Sequence, residues 1–240
     1  MKKFGDRLRS FFIWLIALPV FLYSCVLVWL GSFFLRGRGL ENLLKAGCRT
    51  VLLVCGIRLR TSGGENIVPG RQYVVMMNHV NFFDPLVFQA AFQGSVRGVE
   101  EESHFRWPIY GGTIRRIGMF PISRKNTQRA IASLRRAAVW VRSRPNFSFA
   151  ILPEGTRTRD GKLGPFKRGG FLLAIETGLD ILPVIQTGAY RIARKGSLLI
   201  RPGRVDIAIE PAVPTAGYTK ENVGELIERV RRVFLDRLGA

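Results

Sequence analysis

Residues Phe11 to Leu35 are 25 consecutive positions without a charged side chain. As a helix rising about 1.5 Å per residue the run measures about 37 Å, longer than the roughly 30 Å hydrocarbon core of a bilayer. A stretch of that kind must be covered by protein, by lipid, or by both. Two features argue against a simple span. Pro19 lacks an amide hydrogen and its ring crowds the preceding turn, which predicts a break or kink inside the run. Lys2, Lys3, Arg7 and Arg9 precede the run and Arg36 and Arg38 follow it, so basic residues do not set one flank apart from the other. A re-entrant or interfacial hairpin with both ends cytoplasmic fits at least as well, its second arm being the apolar stretch Leu40 to Leu59 with scattered Lys45, Arg49 and Arg58. A cleaved lipoprotein signal at Leu22-Tyr23-Ser24-Cys25 is a competing account. The apolar run continues ten residues past Cys25, which a cleaved signal would not need.

After Thr61 the pattern changes. Apolar runs at Tyr73–Met77, Ile117–Ile122, Phe147–Leu152, Ile181–Ile185, Leu198–Ile200 and Val205–Ile209 are short and rich in Val and Ile, as buried strands are. Helical periodicity lies between them. Asn126-Thr127 opens a stripe of Ile131, Leu134, Ala138 and Val141, and Thr219 opens a helix carrying Val223, Leu226, Ile227, Val230, Val233, Phe234 and Leu238. The expectation is an α/β domain over residues 61–240, a mixed and largely buried sheet flanked by helices, behind a helical membrane-docking motif at 1–60.

Thirty-seven Lys and Arg against 17 Asp and Glu leave a formal charge of +20. Between His104 and Arg204 there are 20 basic and 4 acidic residues, so the charge concentrates on the second half. Such a surface attracts phosphate on nucleic acid, on anionic lipid headgroups or on a small acceptor, and charge alone does not choose among them. No nucleic-acid reading motif accompanies it, and a 25-residue apolar run suits such a role poorly. Three cysteines, Cys25, Cys48 and Cys55, sit in apolar stretches without paired C-x-x-C spacing, which indicates neither a disulfide framework nor a zinc site.

The best lead to chemistry is Asn78-His79-Val80-Asn81-Phe82-Phe83-Asp84-Pro85. It holds one of only two histidines and places a carboxylate five residues after it. An imidazole exchanges a proton near neutral pH, and a carboxylate on its far nitrogen fixes the tautomer and makes the near nitrogen a better base. Both groups fall on one loop between the strand ending near His79 and a helix opening at Asp84-Pro85. Asp84 before Pro85 is also a good helix cap whatever else it does, so the pair alone leaves a structural role open.

Three further blocks follow in order: Gly118-Met119-Phe120-Pro121-Ile122-Ser123-Arg124, Leu152-Pro153-Glu154-Gly155-Thr156-Arg157-Thr158, and Ile181-Leu182-Pro183-Val184-Ile185. With the histidine block, and with Gly64 to Pro69 before it and Phe166 to Gly170 after the third block, they resemble the glycerophospholipid acyltransferases over roughly residues 60 to 190. The resemblance implies that family's fold, an N-terminal membrane-docking helical motif, and transfer of a fatty acyl group from acyl-CoA or an acyl-carrier protein to the hydroxyl of 1-acylglycerol 3-phosphate, giving phosphatidic acid. It implies His79 as general base and Asp84 as its orienter. Arg124 and Arg157 fall where the family binds the acceptor's phosphate, with Lys167 a weaker candidate. Glu154, Gly155 and Thr156 fall at the acceptor site, where Glu154 either holds an acceptor hydroxyl or pairs with an arginine. Pro183 is expected in the wall of the acyl pocket. No G-x-S-x-G elbow and no cysteine near the histidine offers a nucleophile, so direct transfer without an acyl-enzyme is expected, with no metal and no bound cofactor. The partners implied are an anionic membrane surface and its lipid acceptor at the cytoplasmic face of the inner (plasma) membrane. Two departures from the family pattern widen the acceptor class to other lysophospholipids or lyso-aminolipids. Ser123 stands where an acid is usual, and Glu100, Glu101 and Glu102 stand where lysines are common.

Overall fold

The computed structural model describes residues 2–123, 126–144 and 146–239. The chain opens with two helices, α1 (Lys2–Phe34) and α2 (Arg38–Val54), packed side by side as a hairpin. There follow β1 (Ile57–Ser62), β2 (Val74–Met77), α3 (Asp84–Ala91), β3 (Ser95–Glu101), α4 (Tyr110–Ile117), β4 (Phe120–Ile122), α5 (Thr127–Arg142), β5 (Phe147–Ile151), α6 (Arg168–Thr177), β6 (Ile181–Thr187), the single turn α7 (Ala189–Ile192), β7 (Gly203–Ile209) and α8 (Val223–Leu238).

The strands form one sheet in the order β1-β7-β6-β2-β5-β3-β4. Every neighbouring pair is parallel except β6 with β7, which is antiparallel. β2 lies at the centre, Met76 opposite Ile151 of β5 and Pro183 of β6. Because successive strand residues face opposite ways, Val75 and Met77 enter one core layer with Leu44, Leu52 and Val87, while Val74 and Met76 enter another with Val141, Phe171 and Phe234. Helices therefore cover both faces, which a largely parallel sheet needs.

The hairpin shares the first of these cores, through Ala17, Val28, Cys48 and Val51. β1 is in the sheet from Ile57, paired with Gly203, so the sheet begins before residue 61. The break expected at Pro19 does not occur: α1 runs through it without interruption. Contacts along the helix hold it against the domain. The Ile200 amide donates to Ser10 Oγ at 3.0 Å, the Thr113 hydroxyl donates to the Cys25 carbonyl at 3.0 Å, and Phe21 packs on Tyr110.

Two further expectations differ. Leu198–Ile200 is not a strand but a loop that caps α1, with the Trp14 indole N–H donating to Leu198 O at 2.7 Å. Ile117 closes α4, and the strand of that block is only Phe120–Ile122. β3 and β1 were not legible as strands, since each carries charged or polar residues at alternate positions and sits toward an edge of the sheet.

Candidate active site

Six residues join the end of β2 to the start of α3, at the C-terminal edge of the central strand. Asn78 prolongs the β2–β6 ladder with its side chain: its Oδ1 accepts the Gln186 amide at 2.8 Å and its Nδ2 donates to Gln186 O at 3.0 Å. The next residue is thereby fixed in direction. His79 Nδ1 lies 2.7 Å from Asp84 Oδ2, and Asp84 is fully buried. The cap expected of Asp84 does not form: Phe83 is the N-cap of α3, Asp84 is already its first residue, and its carboxylate turns back into the loop. The Val80 amide donates to Oδ2 at 2.6 Å, and the Asn81 amide is shared between both oxygens at 3.1 Å. Asn81 ties the loop further, donating from Nδ2 to Ala189 O and accepting the Phe83 amide at Oδ1. A carboxylate that only accepts leaves the imidazole proton on Nδ1 and a lone pair on Nε2.

Glu154 lies under the histidine, where β5 ends. Oε2 accepts the His79 backbone amide at 2.5 Å and Oε1 the Gly164 amide at 3.0 Å. Burial raises its carboxyl above the usual range, while the two amide donors pull the other way. Among the described residues no arginine pairs with Glu154, whose two oxygens both accept backbone amides. Gly155 has φ +64°, and a side chain there would meet the Lys167 alkyl chain and ammonium at 2.9 Å. Lys167 lies over that glycine. The Thr158 amide donates to His79 O at 2.9 Å, which lays Thr156 and the half-buried Arg157 beside the histidine strand end. Arg124 falls outside the described residues.

Beside Pro85 and Leu86, the two residues after Asp84, an apolar cleft of about 600 Å³ runs between α1, α2, α3 and α4, with Cys25, Cys48, Val51 and Ile114 in its wall. Pro183 does not line it. The side chain lies in β6 between Leu182 and Val184, which face the hairpin layer, so alternation turns Pro183 to the opposite layer with Ile181 and Ile185.

Three side chains were not singled out by the sequence. Gln186 donates from Nε2 to Asp84 Oδ1 at 2.8 Å, and Asn78 braces it. Lys195 donates from Nζ to Thr156 Oγ1 at 2.7 Å, adding a cation next to Arg157. None of these has a spacing signal, since Gln186 meets Asp84 from 102 residues downstream and Lys195 meets Thr156 from 39. The second histidine, His104, has its own carboxylate, with Nδ1 2.7 Å from Glu100 Oε1, and the Tyr110 hydroxyl donates to Glu100 Oε2 at 3.3 Å. Among the described residues no group of three or more His, Cys, Asp or Glu is placed to hold a metal ion.

The acyltransferase family model matches residues 58–202. A Limnanthes douglasii protein named 1-acyl-sn-glycerol-3-phosphate acyltransferase is 31% identical over 191 residues, which are 79% of this chain and 66% of that protein. The human 1-acyl-sn-glycerol-3-phosphate acyltransferase alpha is 29% identical over 202 residues, 83% of this chain and 71% of its own. The crystal structure of the 1-acyl-sn-glycerophosphate (LPA) acyltransferase PlsC from Thermotoga maritima superposes with a TM-score of 0.81, covering 98% of this chain and 96% of that one at 24% identity, a likeness of fold.

Proposed function

This chain belongs to the acyltransferase family, and on that premise we propose that it transfers a fatty acyl group from a thioester donor, acyl-CoA or acyl-carrier protein, to the free hydroxyl of 1-acylglycerol 3-phosphate, giving phosphatidic acid. The observation that carries the reading is the His79–Asp84 pair, whose next residues in the chain, Pro85 and Leu86, line an apolar cleft. The acceptor hydroxyl gives its proton to His79 Nε2 as its oxygen attacks the thioester carbonyl carbon. Asp84 stabilises the imidazolium that results. Backbone N–H groups or a nearby cation stabilise the tetrahedral oxyanion. Collapse breaks the C–S bond, and the departing thiolate takes the proton back from the imidazolium. No nucleophile of the protein is needed, because the thioester is already activated.

Arg157, with Lys195 on the neighbouring Thr156, supplies cationic donors for a phosphomonoester, and a guanidinium binds such a group in two directions at once. Arg124 completes the expected clamp from its place in the second block. The relatives act, by name, on this same phosphate-bearing acceptor.

The hairpin is a half-immersed docking element in this reading. Asp6 pairs with Arg201 at 3.2 Å near one end of α1, and near the other Arg116 stacks 4.0 Å over Phe33. Those anchors lie about 40 Å apart along the helix, so a crossing α1 would carry the catalytic domain into the bilayer with it. The outward face instead presents Phe4, Phe11, Phe12, Leu15 and Ile16 along the surface of one leaflet. Net charge adds attraction to anionic lipid on the cytoplasmic face.

The test is a panel of acceptors with one labelled acyl thioester: glycerol 3-phosphate, lysophosphatidic acid, zwitterionic lysophospholipids and lyso-aminolipids. Lysophosphatidic acid is expected to be used best, and Arg157→Ala is expected to lower its kcat/KM by about 1.5–3 kcal/mol, the range for a hydrogen bond to a charged group. Preference for an acceptor without phosphate would replace this acceptor with the wider class that Ser123 and the Glu100–Glu102 run suggest.

A further inference from the structure

Asp84 can orient His79 only if its own carboxylate plane is held. Oδ2 has three donors, the His79 ring, the Val80 amide and a share of the Asn81 amide. Oδ1 has two among the described residues, the other share of the Asn81 amide at 3.1 Å and Gln186 Nε2 at 2.8 Å. Without Gln186, Oδ1 would keep half of one long bond and the carboxylate would be free to turn about its Cβ–Cγ bond, taking Oδ2 away from the imidazole.

Gln186 is built to do this from a distance in sequence. It stands two residues past Val184, which is opposite Met77 in the parallel β2–β6 pairing. Its backbone is clasped on both sides by the Asn78 amide group. Both Nε2 hydrogens are engaged, one on Asn78 O at 2.9 Å and one on Asp84 Oδ1. Its Oε1 is buried and has no hydrogen-bond partner among the described residues. Turning the amide over would set Oε1 against a carbonyl and a carboxylate, so the orientation is fixed by the acceptors around it.

We propose that Gln186 is a positioning residue for acyl transfer, acting through Asp84: its amide donates to Oδ1, holds the carboxylate in the imidazole plane and draws negative charge away from the His79 side. This rests on the His79–Asp84 reading above. Glu154, which accepts the His79 backbone amide, is the other titratable group touching the histidine from β5. It does not contact Asp84 through any hydrogen bond, so it remains in place in the variants below.

The consequence has a sign. Removing the donor makes the Asp84 carboxylate more negative toward His79, which stabilises the imidazolium, so His79 stays protonated to higher pH and the acid limb of the kcat/KM profile moves up. Gln186→Met keeps the volume and loses both donors. It is expected to lower kcat about tenfold or more, with the KM of both substrates within about twofold, and to move the acid limb up by about half a pH unit or more. Gln186→Glu keeps shape and polarity while adding charge, and is expected to move the limb further in the same direction. In an Asp84→Asn background Gln186→Met should cost nearly nothing more, since the residues act as one unit.

A fall in kcat with the acid limb unmoved, or the same loss in both backgrounds, would show a merely structural role and overturn the proposal. If Gln186→Met does not accumulate as folded protein, the limb of Gln186→Glu decides. Full activity of Asp84→Asn alone would overturn the His79–Asp84 reading itself, and this inference with it.

Discussion

A histidine in a loop becomes a base through what touches its far nitrogen, and here that partner is a carboxylate with no exposure to water. His79→Ala is therefore expected to leave about a hundredth of wild-type turnover or less, the lower edge of the range for general-base catalysis, and more than about a tenth remaining would contradict that role. Asp84→Asn is expected to keep the fold and lower kcat strongly, because an amide no longer dictates which ring nitrogen carries the proton. Steady-state rates on folded protein check both. Gly155 tests the loop beside them. With φ +64° the backbone is in the left-handed region, and any side chain there strains it by about 1–2 kcal/mol while pressing on Lys167. Gly155→Ala should lower the melting temperature and shift Lys167 with it. A melting temperature equal to wild type would show that the turn relaxes freely. The residues of the dyad could be named from spacing, whereas the oxygens of Glu154 could not be assigned until the His79 and Gly164 amides were seen to occupy them.

At the scale of elements, the join between the hairpin and the sheet is unexpectedly polar. Glu41 of α2 and Arg97 of β3 are both buried and form an ion pair, and the Arg97 guanidinium also donates to the Ile117 and Val96 carbonyls. Two charges withdrawn from water contribute little net stability as a pair, yet removing one partner leaves the other uncompensated, at a cost of about 3–5 kcal/mol. Glu41→Ala should lower the unfolding free energy by such an amount, read as a lower denaturation midpoint at unchanged m, and Glu41→Gln by less because it still accepts a hydrogen bond. If Glu41→Ala unfolds at the wild-type midpoint, α2 is not pinned to β3 by this pair. The periodicity that predicts α5 and α8 from their apolar stripes carries no hint of this contact. Nor does it place Ile131, which belongs to the stripe by spacing yet stays largely exposed.

For the whole molecule, the proposed docking on an anionic membrane would draw on the apolar outer face of α1 and on the basic catalytic half by different forces, one insensitive to salt and the other screened over about 10 Å at 0.1 M. Replacing the exposed Phe11 and Leu15 together by Glu should weaken cosedimentation with anionic vesicles at any ionic strength, while turnover of a detergent-dispersed acceptor is retained. Raising salt on the wild type should remove only the electrostatic share. Unchanged vesicle binding in the double variant would exclude α1 as the docking face. An N-terminal tag in sealed vesicles of known orientation should be cut only from the cytoplasmic side, because a hairpin keeps both ends there.

The helical hairpin's apolar length, the α/β alternation, the ordered blocks and the His79–Asp84 pair are all written in local spacing: runs of one polarity, period 2 or 3.6, and a carboxylate five positions after an imidazole. Tertiary structure alone decided the rest. Pro19 is tolerated because α1 is held against the domain along its length, Pro183 turns away from the cleft because alternation within β6 is set by the neighbouring strands, and Gln186 meets Asp84 because β6 pairs with β2 in one particular register. Such contacts join residues separated by a hundred positions, and no local rule of polarity or spacing records which strands will lie side by side.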